Sequence, residues 1–515
     1  MVFFLVKFEY LIGDSMDKKK SILNVTVSIG FKLCTMVMAI VVKRILIEVC
    51  GNEVNGLNAL YLSIIGFLSV AELGFGTAIT FSMYKPIVEK NDTQVAALYH
   101  LFRKMYLIIG GVILAAGLMI LPWIHLFAKD YLQLNVNLYL SFGLMLVSVV
   151  VTYLFSAKMA LFNAYKNNYI TTAITSGGHL LQYVLQIIVL LLTGSFTGYL
   201  ICRIVTALVQ WGVTEWLVKK QHASITKVKA TLDPEIHRNL TKSIKAMVMH
   251  KVGYVLVNSV DSMVISVFVG VVALGEYSNY VTILTSLTGI LSLIFTSLTS
   301  IIGHIYVSET KDTTCKYCEA FHLINFILGV CFFLGCYAVI DDLIAILFSE
   351  KLIVAKSISF TIILNGFVQF MRQTVLVFRD ATGTFYNDRW KPLVEGVVNV
   401  IFSVLFVKWI GVSGVIAATI ATNLLICHVI EPYVLYKNAF DMHPVRYYLR
   451  NYGMVICFVT ALLCLNQCMV VIENHWLQFF VNGCISVGIS LIICIGAILL
   501  NKKTGWYILS VLRRK

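Results

Sequence analysis

The residues most able to do chemistry in this sequence are charged side chains that stand inside long apolar stretches. Lys32 and Lys43 are eleven positions apart, with no Asp or Glu between residues 22 and 44. At about 100° per residue, a helix would place both on one face. Arg372 and Arg379 share a face in the same way. A charge within an apolar span costs roughly 2.5–3.5 kcal/mol unless water or a partner compensates it, so these bases indicate a polar cavity.

Bases, acids and amides together make up the candidate site. The expected anion-binding bases are Lys32, Lys43, Arg44, Arg203, Arg372 and Arg379. The candidate ion-coupling or cavity acids are Asp261, Glu72 and Glu395, and the polar stripe consists of His179, Gln182, Gln186 and Asn399. Because the bases outnumber the acids, the predicted cavity suits an anionic group, and arginine can bind phosphate oxygens in pairs.

Several of these side chains have simpler interpretations. The bases near helix ends can instead reach the lipid headgroups; these are Lys43, Arg44 and Arg379. His179 fits an interhelical hydrogen bond as well as a proton carrier, and Glu72 fits a pair with a basic neighbour. Asp261 is the best candidate for ion coupling, and the alternative is a salt bridge with a base such as Lys251.

The composition requires these residues to lie in a membrane. Of 515 residues, 59% are hydrophobic and 13% are charged, whereas soluble domains carry about 25% charged residues. Mean hydropathy is +0.86. These values exclude a disordered chain, a collagen, a coiled coil and an ordinary cytosolic enzyme. They indicate an all-α polytopic membrane protein, and at about 20 residues per span the length allows roughly 12–15 spans.

Apolar runs separated by short polar breaks predict fourteen transmembrane helices. The runs are too long for strands and lack period-two alternation. The predicted helices cover residues 22–47, 54–84, 101–127, 135–161, 170–192, 199–218, 244–269, 275–305, 321–347, 354–378, 392–410, 415–435, 448–472 and 477–500. Most of the 40 Lys and Arg residues fall on the side that holds both termini, which predicts that both termini are cytoplasmic.

Two halves of the chain carry matching residues at a nearly constant shift. Three groups of residues recur. The first pairs Gly51, Gly56 and Tyr61 with Gly270, Gly275 and Tyr280. The second pairs Gly198, Thr206 and Glu215 with Gly414, Thr422 and Glu431, and the third pairs Tyr165 and Tyr169 with Tyr386 and Trp390. These matches predict two pseudo-symmetric six-helix bundles that share one orientation, with the substrate path between them. The predicted domains are a tail (1–20), a first bundle (21–218), a cytoplasmic linker (219–241), a second bundle (242–437), two further helices (446–500) and a tail (501–515).

Two smaller features of the sequence concern the start of translation and the cysteines. Met16 begins a basic lead-in to the first span, MDKKKSILNV, and is an expected start of translation. Among the 13 cysteines, Cys315 and Cys318 form a CxxC motif without a second pair or nearby histidines. We therefore expect two reduced thiols in a polar loop and no metal site.

Several motifs resemble the Wzx-type flippases of bacterial polysaccharide export. In the first half they are the segment from Arg44 to Leu57, AELGFGTA at 71–78, and Tyr84 to Pro86. In the second half they are RDATG at 379–383, DRWKP at 388–392, Glu395, Asn399, Gly411, Gly414, Val415, Thr419, Glu431 and Pro432. The similarity covers roughly residues 22–440.

The resemblance implies a MATE-like fold, that of the superfamily that includes multidrug and toxin exporters. It implies two six-helix bundles around a central cavity, two C-terminal helices and alternating access. The implied function is flipping of undecaprenyl-diphosphate-linked oligosaccharides to the outer leaflet of the bacterial inner membrane, for O-antigen, capsule or exopolysaccharide synthesis. It also implies an H⁺ or Na⁺ gradient as the energy source, cationic residues that bind the diphosphate, and a polymerase as a neighbouring partner. No cofactor, metal or nucleic acid is expected.

Three other functions compete with this one. A multidrug or toxin cation antiporter of the same superfamily would place an acid in the first helix, where this chain has bases; Asp261 keeps that alternative open. A membrane polysaccharide polymerase or ligase would need a large external loop or a glycosyltransferase domain, and the sequence has no GxxxxGK[ST], HExxH or GxSxG motif. A structural scaffold would not need buried charges. We therefore expect a transporter and not an enzyme.

Overall fold

A computed structural model describes residues 15–69, 75–129, 134–228, 259–384 and 387–501. Within these ranges the chain forms helices and turns without a β-strand. Helices are the expected form in lipid because each backbone N–H and C=O finds its partner within the same segment. Nine helical segments of the described residues are long and apolar enough to cross a membrane. The all-α membrane fold is thus confirmed, while the number of fourteen spans stays a prediction.

The chain divides into two compact units. The first comprises Met1–Phe127 and Tyr131–Lys251, and the second comprises Ala128–Asp130 and Val252–Lys515. The predicted linker, 219–241, lies mostly outside the described residues, so the domain boundaries stay predictions.

The first unit contains eight described helices. They are α1 (Ser15–Cys50), α2 (Asn52–Leu68), α3 (Phe75–Val88), α4 (Asp92–Ile120), α5 (Leu138–Ala164), α6 (Asn168–Thr193), α7 (Phe196–Gln221) and α8 (Ala223–Lys227). Side-chain caps fix several of their starts: Asn137 accepts a hydrogen bond from the Leu140 amide, and Ser195 accepts one from the Gly198 amide. The second predicted helix is described as two, α2 and α3, and residues 70–74 between them lie outside the described ranges.

The second unit contains nine described helices. They are α9 (Ser259–Phe268), α10 (Val271–Ser308), α11 (Lys311–Leu347), α12 (Lys356–Met371), α13 (Gln373–Thr382), α14 (Lys391–Thr422), α15 (His428–Leu435), α16 (Val445–Cys468) and α17 (His475–Leu500). The tenth predicted helix is described as α12 and α13, which meet at Arg372 and together form one candidate span, Lys356–Thr382. Only residues 259–268 of the seventh predicted helix are described.

Helix α14 contains a sharp break that the sequence anticipated. Ile410 and Gly411 leave helical geometry, and Gly411 has φ 59°, a conformation that favours glycine. Residues 391–409 and 412–422 therefore form two separate arms, as predicted for the eleventh and twelfth helices. The second arm continues into a π-helical turn, Asn423–Cys427, before α15 begins.

Within each unit, the helices pack on one another in a few extended pairs. In the first unit, α1 packs on α6, and α5 packs on both α4 and α7. In the second unit, α12 packs on α14, and α13 packs on α15. The two C-terminal helices α16 and α17 pack on α11, so they belong to the second unit although they lie outside the sequence repeat.

The repeat predicted from glycine and tyrosine spacing is present in the geometry. Gly51 and Gly270 both precede a helix with positive φ, 93° and 138°. The hydroxyls of Tyr61 and Tyr280, both fully buried, bond to segments of equivalent sequence position. Tyr61 donates to the Leu138 carbonyl at 2.9 Å, and Tyr280 accepts from the Val354 amide at 3.2 Å.

Close helix contacts at glycine repeat as well. A Cβ atom on Gly198 would lie 2.6 Å from Val189 Cγ1, and one on Gly414 would lie 2.2 Å from the Phe406 carbonyl oxygen. Glycine therefore allows the start of the last helix of each six-helix set to approach the end of the preceding one. The two units thus share these local features, and their division into two six-helix bundles stays a prediction.

Candidate functional site

A group of buried oxygen atoms surrounds Asp261 in the second unit. The Thr419 hydroxyl donates to Asp261 Oδ2 at 2.8 Å and accepts from Asn399 Nδ2 at 2.9 Å. Ser403 stands one helical turn after Asn399 and also lies close to the Asp261 carboxylate. The side chains of α9 and both arms of α14 thus converge. We call Asp261, Asn399, Ser403 and Thr419 the oxygen cluster.

Three oxygens of the oxygen cluster have no hydrogen-bond partner among the described residues: Asp261 Oδ1, Asn399 Oδ1 and Ser403 Oγ. All four residues are at least nine-tenths buried. A buried polar atom without a partner costs about 1–3 kcal/mol. Carboxylate, carbonyl and hydroxyl oxygens are the ligands that hard cations prefer. The arrangement can therefore hold a small cation, and its single carboxylate would balance one positive charge.

A second polar group joins the start of the first arm to α15 and to Arg372. The Arg372 guanidinium makes two parallel hydrogen bonds to Glu431, Nη2 to Oε1 at 2.6 Å and Nε to Oε2 at 3.1 Å. Lys391 Nζ lies 2.6 Å from Glu431 Oε1 and 2.8 Å from Glu395 Oε2. Glu395 also lies 3.6 Å from Arg372 Nη1. Two bases and two acids thus form a neutral buried group, the charge cluster.

Arg379 is paired separately. Its Nη1 lies 2.8 Å from the buried carboxylate of Asp388 and its Nη2 lies 3.4 Å from Asp380. Arg372 and Arg379, which shared a predicted face, therefore have different partners, and each guanidinium is neutralised by acids of its own unit. Their assignment to substrate binding stays a prediction.

The predicted bases of the first unit are arranged differently. Arg44 pairs with Glu48 on α1 at 2.8 Å, and both side chains are about half exposed. Lys32 is exposed and Lys43 half-buried on the same helix. Arg203 is half-buried on α7, and its Nε atom is buried without a hydrogen-bond partner among the described residues. The guanidinium of Arg372 is already bonded to Glu431 and Asn423. Arg203, by contrast, has a buried Nε donor without a partner among the described residues.

The polar stripe of α6 is only partly buried. Gln186 is fully buried and donates to the Tyr199 carbonyl at 3.1 Å, and Gln182 lies beside it with a 3.4 Å contact. His179 is exposed and stacks on Tyr183 with ring centroids 6.3 Å apart. The interhelical hydrogen bond of the stripe thus comes from Gln186, while Gln182 bonds within α6. Glu72 and Lys251, which the sequence also suggested, lie outside the described residues.

Several important residues were missed by the sequence interpretation. Asn423 was not noted at all. Lys391, Thr419 and Glu431 appeared in motifs, and Glu431 also as a repeat match, but none was a candidate site residue. Their signal is a four-residue period, which places side chains on one helix face. It runs through Lys391, Glu395, Asn399 and Ser403 on the first arm. It runs again from Thr419 on the second arm through Asn423 and Cys427 in the π-helical turn to Glu431 in α15.

The first unit has its own version of the buried ion pair. Lys158 on α5 pairs with Glu215 on α7, and Glu215 is the repeat equivalent of Glu431. The base thus comes from the fourth predicted helix of each set, Lys158 in one and Arg372 in the other. In each unit a glutamate of the sixth predicted helix binds a base of the fourth.

The CxxC motif was placed wrongly. Cys315 and Cys318 lie within α11 and are buried, not in a polar loop. Helix α11 begins ten residues earlier than predicted because Thr310 caps it by accepting from the Thr313 amide. Among the described residues, no group of three or more His, Cys, Asp or Glu side chains is arranged to hold a metal.

A family model described as "Polysaccharide biosynthesis protein" matches residues 21–305, more than half of the chain. This match confirms the resemblance to polysaccharide exporters. No curated protein matches the sequence.

Solved transporter structures share the fold. A lipid II flippase, MurJ, in an inward closed conformation is 13% identical, with a TM-score of 0.61, over 93% of this chain and 99% of that chain. An inward-facing multidrug resistance MATE family transporter of the MOP superfamily is 14% identical, with a TM-score of 0.61, over 84% and 98%. A MATE in complex with MaL6 is 13% identical, with a TM-score of 0.53, over 85% and 96%. The MATE-like fold is thereby confirmed.

Proposed function

Because the chain belongs to the polysaccharide biosynthesis protein family, we propose that it flips undecaprenyl-diphosphate-linked oligosaccharides to the outer leaflet. A sodium gradient drives the movement. Family membership supports a polysaccharide precursor as cargo, and the fold shared with a lipid II flippase supports a lipid-linked one. The cargo serves O-antigen, capsule or exopolysaccharide synthesis, and a polymerase acts on it next.

The distribution of positive charge supports an anionic cargo. A diphosphate that crosses a low-dielectric layer needs compensating charge. Lys32, Lys43 and Arg203 supply bases on α1 and α7 of the first unit, and the buried Nε donor of Arg203 stands ready for an acceptor. The positive-inside bias supports both termini in the cytoplasm and a position in the bacterial inner membrane.

The oxygen cluster is the single observation that carries the ion coupling. An ionised carboxylate buried without a cation is costly. The Thr419 hydroxyl donates to Asp261, and the Ser403 hydroxyl lies close to the same carboxylate. A sodium ion would meet Asp261 Oδ1, Asn399 Oδ1 and Ser403 Oγ, the three oxygens without partners. Its single positive charge would also neutralise the carboxylate of Asp261. In other transporters, coupling ions bind where helices are interrupted, and the oxygen cluster here lies across the Gly411 break.

Sodium-dependent stability tests this site. We expect NaCl, compared with choline chloride, to raise the unfolding temperature of the purified protein in nanodiscs. Sodium at 100 times its Kd contributes about 2.7 kcal/mol. Asp261→Asn and Ser403→Ala should lose the increase.

Glu215→Gln is the matched control, because it removes an acid of the first unit, and it should keep the sodium effect. An equal sodium effect in wild type and Asp261→Asn would overturn the proposed coupling site. A loss in Glu215→Gln as well would assign the effect to general stability.

A further inference from the structure

A continuous series of hydrogen bonds joins the charge cluster to the oxygen cluster. Arg372 Nη1 donates to Asn423 Oδ1 at 2.5 Å. Asn423 Nδ2 donates to the Thr419 carbonyl at 2.9 Å. The Thr419 hydroxyl then donates to Asp261 at 2.8 Å. Asn423 and Thr419 are both 1% exposed, so water does not replace these bonds. A displacement at Arg372 is therefore transmitted to a ligand of the proposed sodium ion.

The regular α-helix is interrupted at Arg372 and at Asn423, two residues of the series that links the two clusters. Arg372 stands at the interruption between α12 and α13. Asn423 opens the π-helical turn, where the His428 amide bonds to the Asn423 carbonyl five residues earlier. Such π turns are rare and frequently occur at functional sites. At both residues, side-chain bonds thus add to the backbone bonds that fix their positions.

The geometry of Arg372 suits a fixed support better than a substrate ligand. Three of its nitrogens are engaged, two by Glu431 and one by Asn423. The planar guanidinium holds these directions at once, which a lysine cannot do. To bind a diphosphate, Arg372 would have to give up its bonds to Glu431. The buried acids Glu431 and Glu395 would then share Lys391 alone, and an uncompensated buried charge is strongly destabilising.

We propose that Arg372 is a positioning residue of the sodium site. It acts through Asn423, which donates to the carbonyl of Thr419, on the residue whose hydroxyl bonds to Asp261. It does not bind the lipid-linked substrate. This inference rests on the proposed sodium coupling at Asp261. It assigns to the charge cluster the task of shaping an ion site about three helical turns before Glu431 along the chain.

Arg372→Lys is the decisive variant, because it keeps the positive charge opposite Glu431 but cannot also reach Asn423 with a planar fork. Loss of a residue that orients a metal ligand typically costs 10–100-fold in affinity. In proteoliposomes that flip the lipid-linked oligosaccharide, we expect the half-saturating sodium concentration to rise about 10–100-fold. The half-saturating concentration of the oligosaccharide lipid should stay unchanged.

Asn423→Ala should give the same rise as Arg372→Lys, and the double variant should be no worse than either single one. That non-additivity is the signature of residues that act in one series. Lys158→Gln is the matched control. It breaks the equivalent buried pair of the first unit and should leave the half-saturating sodium concentration unchanged.

The outcomes separate this inference from the proposed function. If Asp261→Asn abolishes the sodium dependence but Arg372→Lys leaves it unshifted, the positioning role is wrong and the sodium site stands. If Arg372→Lys raises only the half-saturating substrate concentration, Arg372 is a substrate ligand and the inference is overturned. If Asp261→Asn retains full sodium dependence, the proposed coupling site itself is refuted.

Discussion

Neutralising Glu431 should destabilise the second unit more than any exposed charge change. The Glu431 side chain is 1% exposed and binds Arg372 through two hydrogen bonds and Lys391 through one. In Glu431→Gln, the two bases share Glu395 alone, so one buried positive charge loses its partner. Breaking a buried pair in this way costs about 3–5 kcal/mol, a large part of a typical total stability of about 5–15 kcal/mol.

The free energy of unfolding can be measured in mixed SDS–detergent micelles by circular dichroism. Arg44→Gln is the control, since it removes one partner of an exposed pair worth about 0–1 kcal/mol. A combined Arg372→Leu and Glu431→Leu variant removes one charge of each sign and leaves Lys391 beside Glu395 at 2.8 Å. We expect it to be more stable than Glu431→Gln. A Glu431→Gln cost no larger than that of Arg44→Gln would refute the reasoning.

Three further predictions concern other parts of the chain. Gly414→Ala should destabilise the protein by about 1–3 kcal/mol, because the added Cβ would lie 2.2 Å from the Phe406 carbonyl oxygen. A Cβ added at Gly212 would meet no atom within 4 Å, so Gly212→Ala should be tolerated in the same unfolding titration. Tyr280→Phe should cost about 1–3 kcal/mol, since its buried hydroxyl bridges a carboxylate and a backbone amide; unchanged stability would contradict that role. Arg203→Gln should reduce glycan export in cells at unchanged protein abundance, and normal export would exclude Arg203 from cargo binding.

The helices and the repeat could be predicted because their signals are local. A run of about 20 apolar residues determines a span wherever its neighbours lie. The matched glycines, such as Gly198 and Gly414, mark backbone conformations and close approaches that only glycine allows. The break at Gly411 was visible for the same reason, as the predicted helices ended at residue 410 and resumed at 415.

The partners of the charged residues could not be predicted in the same way. Arg372 and Glu431 are 59 residues apart, and their pairing depends on how α12 packs on α14 and α13 packs on α15. Charge counting treated Arg372 as available for an anion, although packing supplies it with an acid. Two members of the oxygen cluster, Asp261 and Asn399, were candidates from the sequence. Thr419 was not, because it meets them only when separate helices pack together.

Flipping of a fluorescent undecaprenyl-diphosphate-linked oligosaccharide in proteoliposomes tests the central claim most directly. The initial rate is measured with an imposed sodium gradient and again with equal sodium on both sides. The account predicts that wild-type protein flips the lipid faster with the gradient, and that Asp261→Asn shows the same slow rate in both conditions. A wild-type rate independent of the sodium gradient, or a gradient-stimulated rate in Asp261→Asn, would contradict it.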